Sequence, residues 1–236
     1  PGANLYTHSI QTFASSRKTC DILGKLKPYS QVTVVGGGLS GVELASELRE
    51  SRSDLNIRIV DRGSGILSAF PERLQNYVKA WFHEHHVEML AHINTTRVEP
   101  NRLCTEQGTI DTDVTVWTAG IQPVEVVRQL DVPKDGYGRV IVDEHHRIPS
   151  HPHVFVVGDC ASLPHSPSAQ LAEAQGKQIA DVIKALLWDQ PLPVLSRIRL
   201  KGVLGSLGKK QGFGVMGSRA IVLGRVPRIL KSGVLW

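Results

Sequence analysis

Three glycines, Gly36, Gly38 and Gly41, stand in the spacing G-x-G-x-x-G within VTVVGGGLSGVELASEL (32–48). Glycines so placed permit a tight turn, close approach of the backbone to a pyrophosphate and close packing of a helix on a strand. The helix N-terminus then stabilises the negative charge. The spacing alone is weak evidence; its context makes it specific. A β-branched run, Val32 to Val35, leads in, a helix-period segment with Leu44, Ala45 and Leu48 leads out, and LNIRIVD (55–61) follows as an alternating strand ending in an acid. Asp61 is suited to accept hydrogen bonds from adenosine ribose hydroxyls and to repel a 2′-phosphate, which favours NADH over NADPH. Its neighbour Arg62 is placed to reach such a phosphate. Glu43 reads as an acid in the first turn of the helix, where the dipole favours it.

A second pattern is Val156-Val157-Gly158-Asp159, an apolar strand ending in Gly-Asp. Such an end presents one carboxylate to a sugar or sugar-alcohol hydroxyl, although Gly-Asp also makes ordinary turns. Histidines recur at 83, 85, 86, 145, 146, 151, 153 and 165. None stands in a zinc spacing with cysteines and H-E-x-x-H is absent, so they read as surface residues and no metal is expected. The chain has no C-x-x-C and therefore no dithiol centre of that kind.

These residues need elements to position them. The reading is a helix over 5–26 capped by Thr7 to Ser9, the strand–turn–helix at 32–48, a strand at 55–61, a helix opened by Pro71, and a strand at 87–90. The order β-α-β-α implies a parallel sheet with crossover helices. Residues 95–120 carry turn signals between short alternating runs and read as an antiparallel meander returning through VTVW. Residues 135–148 read as a strand pair and 153–161 as a buried strand entering a polar turn. The longest helical pattern begins at Ser168, with Gly176 inside it.

With 236 residues, 41% hydrophobic and 21% charged, the chain has the make-up of a folded protein with a substantial core. Three scattered cysteines fit a reducing cytoplasm. Neither a membrane-spanning run nor a signal peptide is apparent. Charge is uneven: residues 197–236 hold nine Lys or Arg and no acid, against 18 bases and 22 acids before them. A basic end of this kind is drawn to anionic lipid or nucleic acid. Stacking aromatics are sparse there (Phe213 and Trp236), so an anionic membrane surface is expected and nucleic acid is not.

VVGGGLSGVELASEL, VWTAGI (116–121), HVFVVGDCA (153–161) and SAQLAEAQGKQIA (168–180) occur in the order found in type II NADH dehydrogenases, and the chain resembles that family throughout. The resemblance implies an α/β architecture: a Rossmann-like NAD-binding domain with parallel sheet and antiparallel meander, plus a partial second FAD-type domain. It implies NADH over Gly36, Gly38 and Gly41, with Asp61 on its ribose and Gly120 near the nicotinamide half. Glu43 matches an acid linked to hydride transfer or proton supply. Gly158 and Asp159 match the segment that binds the ribityl and phosphate region of FAD. Ala169, Gln170 and Leu171 match the backbone that approaches the flavin and lines the quinone site, and Gln175 matches a paired glutamine there. The implied reaction passes hydride from NADH to FAD and two electrons to a quinone, on the cytoplasmic face of a membrane. A homodimer is one open assembly.

Two departures shape the expectation. Only 35 residues precede Gly36 and they hold no second glycine fingerprint, so the first flavin-binding half is expected to be missing. This chain alone is then expected to bind NADH and to show little flavin-dependent activity. Ala174 also stands where the family's first paired glutamine is, which weakens the case for quinone. The expected domains are 1–122 for NADH, 123–190 for the C-terminal part of the FAD domain, and 191–236 as a basic membrane-facing region. Rival readings are a soluble reductase for a protein acceptor and a non-catalytic NADH-binding sensor.

Overall fold

The computed structural model describes residues 1–164, 167–217 and 220–234; His165 and Trp236, named above, and Arg219, one of the nine basic residues of 197–236, lie outside the described residues. The chain forms two compact units, Pro1–Gly120 together with Gly202–Trp236, and Ile121–Lys201.

The first unit opens with α1 (Ala3–Tyr6), β1 (His8–Ser9) and α2 (Phe13–Gly24). The single helix expected over 5–26 is therefore wrong. His8 and Ser9 pair in parallel with Val116 and Trp117, and the sheet's open edge outcompetes helix formation there. The cap is Thr12, not Thr7 to Ser9: its Oγ1 accepts from Ser15 N–H while Ser15 Oγ accepts from Thr12 N–H. There follow β2 (Gln31–Val35), α3 (Leu39–Ser51), β3 (Asn56–Val60), α4 (Glu72–Glu84) and β4 (Val87–Leu90). The meander β5 (Thr95–Glu99), β6 (Arg102–Thr105) and β7 (Gly108–Asp111) leads into β8 (Val114–Trp117). Strands β1, β8, β2, β3 and β4 form one parallel sheet in that order. Its centre is covered on both faces, which is why Val32, Thr33 and Val34 are all fully buried. Val42, Ala45 and Leu48 of α3 and Leu74, Val78 and Phe82 of α4 pack into one core. Val35 and Val60 meet Val98 and Leu103 of the meander in another.

The second unit contains α5 (Glu125–Gln129), β9 (Val140–Ile141), β10 (Arg147–Ile148), β11 (His151–Phe155), a 3-10 turn at Gly158–Cys160, β12 (Ala161–Ser162) and α6 (Ala169–Leu187). The strands pair two by two, β9 with β12 and β10 with β11. β11 is not the buried strand expected: His151 to Val154 are exposed, and burial begins at Val156. With only the two-residue β10 beside it, its apolar run is left uncovered.

Two aspartates clamp the turns of this unit in the same way. Asp135 accepts from the backbone N–H of Tyr137 and Arg139 and from Arg139 Nε, and Asp143 accepts from those of His145 and Arg147 and from Arg147 Nε. Burial pushes the Asp135 carboxyl up, but the hydrogen bonds to Arg139, Ser162 and Tyr137 outweigh it and hold it at about 2. Asp143 is lowered by the same balance. A carboxyl held below its usual value stabilises the fold above its unfolded pKa of 3.8 and loses that contribution as pH falls towards its folded value of about 2. Acid titration of the protein's circular dichroism should show this loss, and Asp135→Asn should flatten the profile in that window. An unchanged profile would refute the clamp.

The chain then returns to the first unit as β13 (Gly202–Leu207), β14 (Gln211–Met216), β15 (Ala220–Gly224) and α7 (Arg225–Val234). The strands form an antiparallel sheet. Leu207 and Phe213 are fully buried and belong to the same core as α3 and α4. Tyr77 Oη donates to Gln211 Oε1 at 2.5 Å. The expectation of a separate basic region over 191–236 is thus corrected from Gly202 onward: apolar burial on α3 and α4 makes this segment part of the first unit's core. Its outer surface still carries Val226, Ile229 and Leu230 exposed on α7 among Arg225, Arg228 and Lys231. Among the described residues no helix is long and apolar enough to cross a membrane.

Candidate functional site

The glycine turn sits at the carboxyl ends of β2, β3 and β8, the edge at which parallel α/β sheets receive ligands. Gly36 has φ +116°, and a Cβ there would stand 2.9 Å from both Ala119 N and Thr118 Oγ1. At Gly41 a Cβ would lie 1.9 Å from Gly36 O, so this glycine brings α3 against the strand end. Gly38 differs: it is the N-cap of α3 and a Cβ there would meet nothing within 4 Å. Two of the three glycines thus shape the turn, and the third leaves space at the helix N-terminus, where backbone N–H groups lack intrahelical acceptors.

Asp61 does more in this structure than face a ribose. Its Oδ2 accepts from Gly37 N–H at 2.6 Å and its Oδ1 from Gly63 N–H at 2.7 Å. One carboxylate therefore ties the glycine turn to the loop after β3, and each oxygen keeps a further lone pair for a hydroxyl donor. Leu67 N–H donates to Gly37 O at 2.7 Å and completes the link. Gly37 and Thr118 escaped the sequence reading. A Cβ at Gly37 would come within 3.0 Å of Asp61 Cβ, and Thr118 Oγ1 donates to Val35 O at 3.0 Å. The middle glycine of the Gly36-Gly37-Gly38 run and the hydroxyl in W-T-A-G were the available signals. Gly120, at φ +76°, follows on the same side of the sheet and its carbonyl accepts from Gln11 Nε2.

Glu43 is not in the first turn of α3, which starts at Leu39 and has no acid in that turn. Its Oε1 accepts instead from Ser206 N–H at 2.7 Å, from Ser206 Oγ at 3.1 Å and from Lys231 Nζ. β13 and α7 are joined through it to the helix that begins at the glycine turn. Ser206 and Lys231 are distant in sequence, and no local pattern announced them.

In the second unit Gly158 has φ +65° and opens the 3-10 turn that carries Asp159. Ser168 Oγ caps α6 by accepting from Leu171 N–H, leaving Ala169 and Gln170 exposed and Leu171 buried. Gln170 Oε1 accepts from Lys201 N–H at 3.0 Å. Gln175, expected to face an electron acceptor, is fully buried and its Oε1 accepts from Gly158 N–H at 2.7 Å. Its side chain binds its own chain's turn. The structure thus brings together Gly36, Gly38, Gly41, Asp61 and Gly120 in one unit, and Gly158, Asp159 and Gln175 in the other.

A profile of the family described as pyridine nucleotide-disulphide oxidoreductase matches residues 1–176. The chain belongs to that family. It is 55% identical over its full length to the NADH dehydrogenase-like protein YutJ of Bacillus subtilis, covering 66% of that protein. It is 30% identical over 217 residues to the type II NADH:quinone oxidoreductase of Haemophilus influenzae, with 83% of this chain and 48% of that protein covered. Among solved structures, NDH2 from Plasmodium falciparum, determined in complex with NADH, superposes on 99% of this chain and 70% of its own with TM-score 0.81 and 17% identity. This family member therefore spans from about half to just under two thirds of the two curated relatives, and its α/β fold with parallel and antiparallel sheets is the family's fold.

Proposed function

We propose that the protein containing this chain is an NADH dehydrogenase that passes electrons from NADH through FAD to a quinone. The observation that carries the reading is the tethered turn: Asp61, held between Gly37 and Gly63, sets an acid beside an open helix N-terminus at the sheet's carboxyl edge. That arrangement suits an adenosine ribose and a pyrophosphate together. The similarity to proteins named as NADH dehydrogenases and quinone oxidoreductases supports the reaction class.

The second unit has features that fit a flavin dinucleotide. Gly158 adopts a left-handed conformation, Asp159 follows it in a tight turn, and the Nε2 of the buried Gln175 has no hydrogen-bond partner among the described residues. Asp159 would bind the ribityl and phosphate region, and Ala169 to Leu171 would lie along the flavin ring. Bound FAD supplies a two-electron acceptor. The chain's own groups bind and orient: Gly36 to Gly41 hold the pyrophosphate of NADH, Asp61 holds its ribose, and Glu43 with Ser206 and Lys231 ties α3 to β13 and α7. The exposed apolar residues of α7, beside the exposed Arg225, suit the surface of an anionic bilayer, where a lipid-soluble acceptor resides.

An anaerobic titration tests the proposal. The flavin-loaded protein should bleach on addition of NADH and recolour with a quinone dissolved in anionic vesicles, with which it should also sediment. Recolouring by a redox protein but by no quinone would replace the acceptor. A full-length protein that binds NADH and never takes up flavin would turn the reading towards a sensor.

A further inference from the structure

Gln175 lies in the interior of α6 with its amide wholly removed from water. A polar group in that position is costly unless its hydrogen bonds are made. One is made: Oε1 accepts from Gly158 N–H at 2.7 Å. The other half of the amide, Nε2, is buried and has no partner among the described residues. A second contact holds the same turn, since a Cβ on Gly158 would come within 3.3 Å of the Ala172 Cβ of α6. The helix therefore grips the Gly-Asp turn twice, once by a side-chain hydrogen bond and once by close approach. A leucine at 175 would fill similar space without any polar cost, so the acceptor oxygen is the feature that this position uses.

We propose that Gln175 is a positioning residue for FAD: by holding Gly158 N–H it fixes the turn in the conformation from which Asp159 binds the dinucleotide. This rests on the flavin reading above. The physical effect is preorganisation. If the turn were free to leave that conformation, apparent affinity would fall in proportion to the fraction that remained competent.

The test uses the full-length protein stripped of flavin and retitrated with FAD, with NADH titrated separately. Gln175→Leu should weaken FAD binding about tenfold, the equivalent of one lost hydrogen bond, and leave NADH affinity within about twofold. Gln175→Glu keeps an acceptor for Gly158 N–H and should recover most of the FAD affinity. Amide exchange at Gly158 should be slow in the unmutated protein before FAD is added, and fast in the leucine variant. Wild-type FAD affinity in Gln175→Leu would overturn the proposal, as would equal losses for FAD and NADH. Should the leucine variant not fold, fast exchange at Gly158 in the unmutated, flavin-free protein would overturn it alone. A protein that never binds FAD would defeat the flavin reading, and would be recognised by slow exchange at Gly158 persisting without any flavin affinity.

Discussion

Gly41→Ala is expected to destabilise the first unit by about 3 kcal/mol or more and to remove measurable NADH binding. A Cβ at this position would stand 1.9 Å from Gly36 O, a backbone atom in a turn already at φ +116°. Relief would have to come from α3 moving off the strand, which separates Val42, Ala45 and Leu48 from the sheet they cover. Gly38→Ala is the informative contrast. Its added methyl meets no atom within 4 Å among the described residues and its backbone is in an ordinary region, so the stability loss should stay at about 1 kcal/mol or less, the cost of alanine at an N-cap. NADH affinity should nonetheless fall about tenfold or more, because the methyl would occupy the approach of the pyrophosphate. Denaturant unfolding and calorimetric titration of NADH separate the two. If Gly38→Ala binds NADH as tightly as the unmutated chain, the pyrophosphate does not sit at the start of α3.

Glu43→Ala is expected to loosen the C-terminal segment, with a loss of about 2–3 kcal/mol. The substitution leaves Ser206 N–H, the Ser206 hydroxyl and the Lys231 ammonium without their common acceptor. The Glu43–Lys231 pair is partly exposed, with side-chain exposures of 25% and 22%, so the loss stays below that of a fully buried pair. Lys231→Ala should cost less, about 1 kcal/mol, since Ser206 still satisfies the carboxylate. Limited proteolysis gives an independent reading: cleavage beyond Gly202 should be faster in Glu43→Ala than in Lys231→Ala. Equal cleavage of both variants and the unmutated chain would show that Glu43 does not hold β13 and α7 in place.

The strand–glycine turn–helix was legible from residues alone because its signals are local. Three glycines, a β-branched strand before them and an acid after the next strand are all fixed by spacing along the chain. The same locality made the crossover order of β2, α3, β3, α4 and β4 readable, together with the meander of β5 to β7. It failed at His8 and Ser9, where a broken apolar stripe suggested helix and an open sheet edge imposed strand. It failed again at β11, where the run HVFVV suggested a covered strand although His151 to Val154 are exposed and burial begins only at Val156, past the strand's end.

Other assignments required the third dimension. Residues 202–216 alternate glycine with apolar side chains and give no clear period, yet Leu207 and Phe213 complete the core of a unit begun two hundred residues earlier. The partners of Glu43 lie 163 and 188 residues away, and a carboxylate's role depends on those partners more than on its place in a helix. Gln175 shows the same dependence. Sequence put the glutamine beside Gly176 on a long helix; only tertiary packing decided whether its amide met solvent, a substrate or Gly158 N–H. Backbone conformation and amphipathic period are set over a few neighbours and can be read in order. Burial and hydrogen-bond pairing are set by segments that meet only after folding.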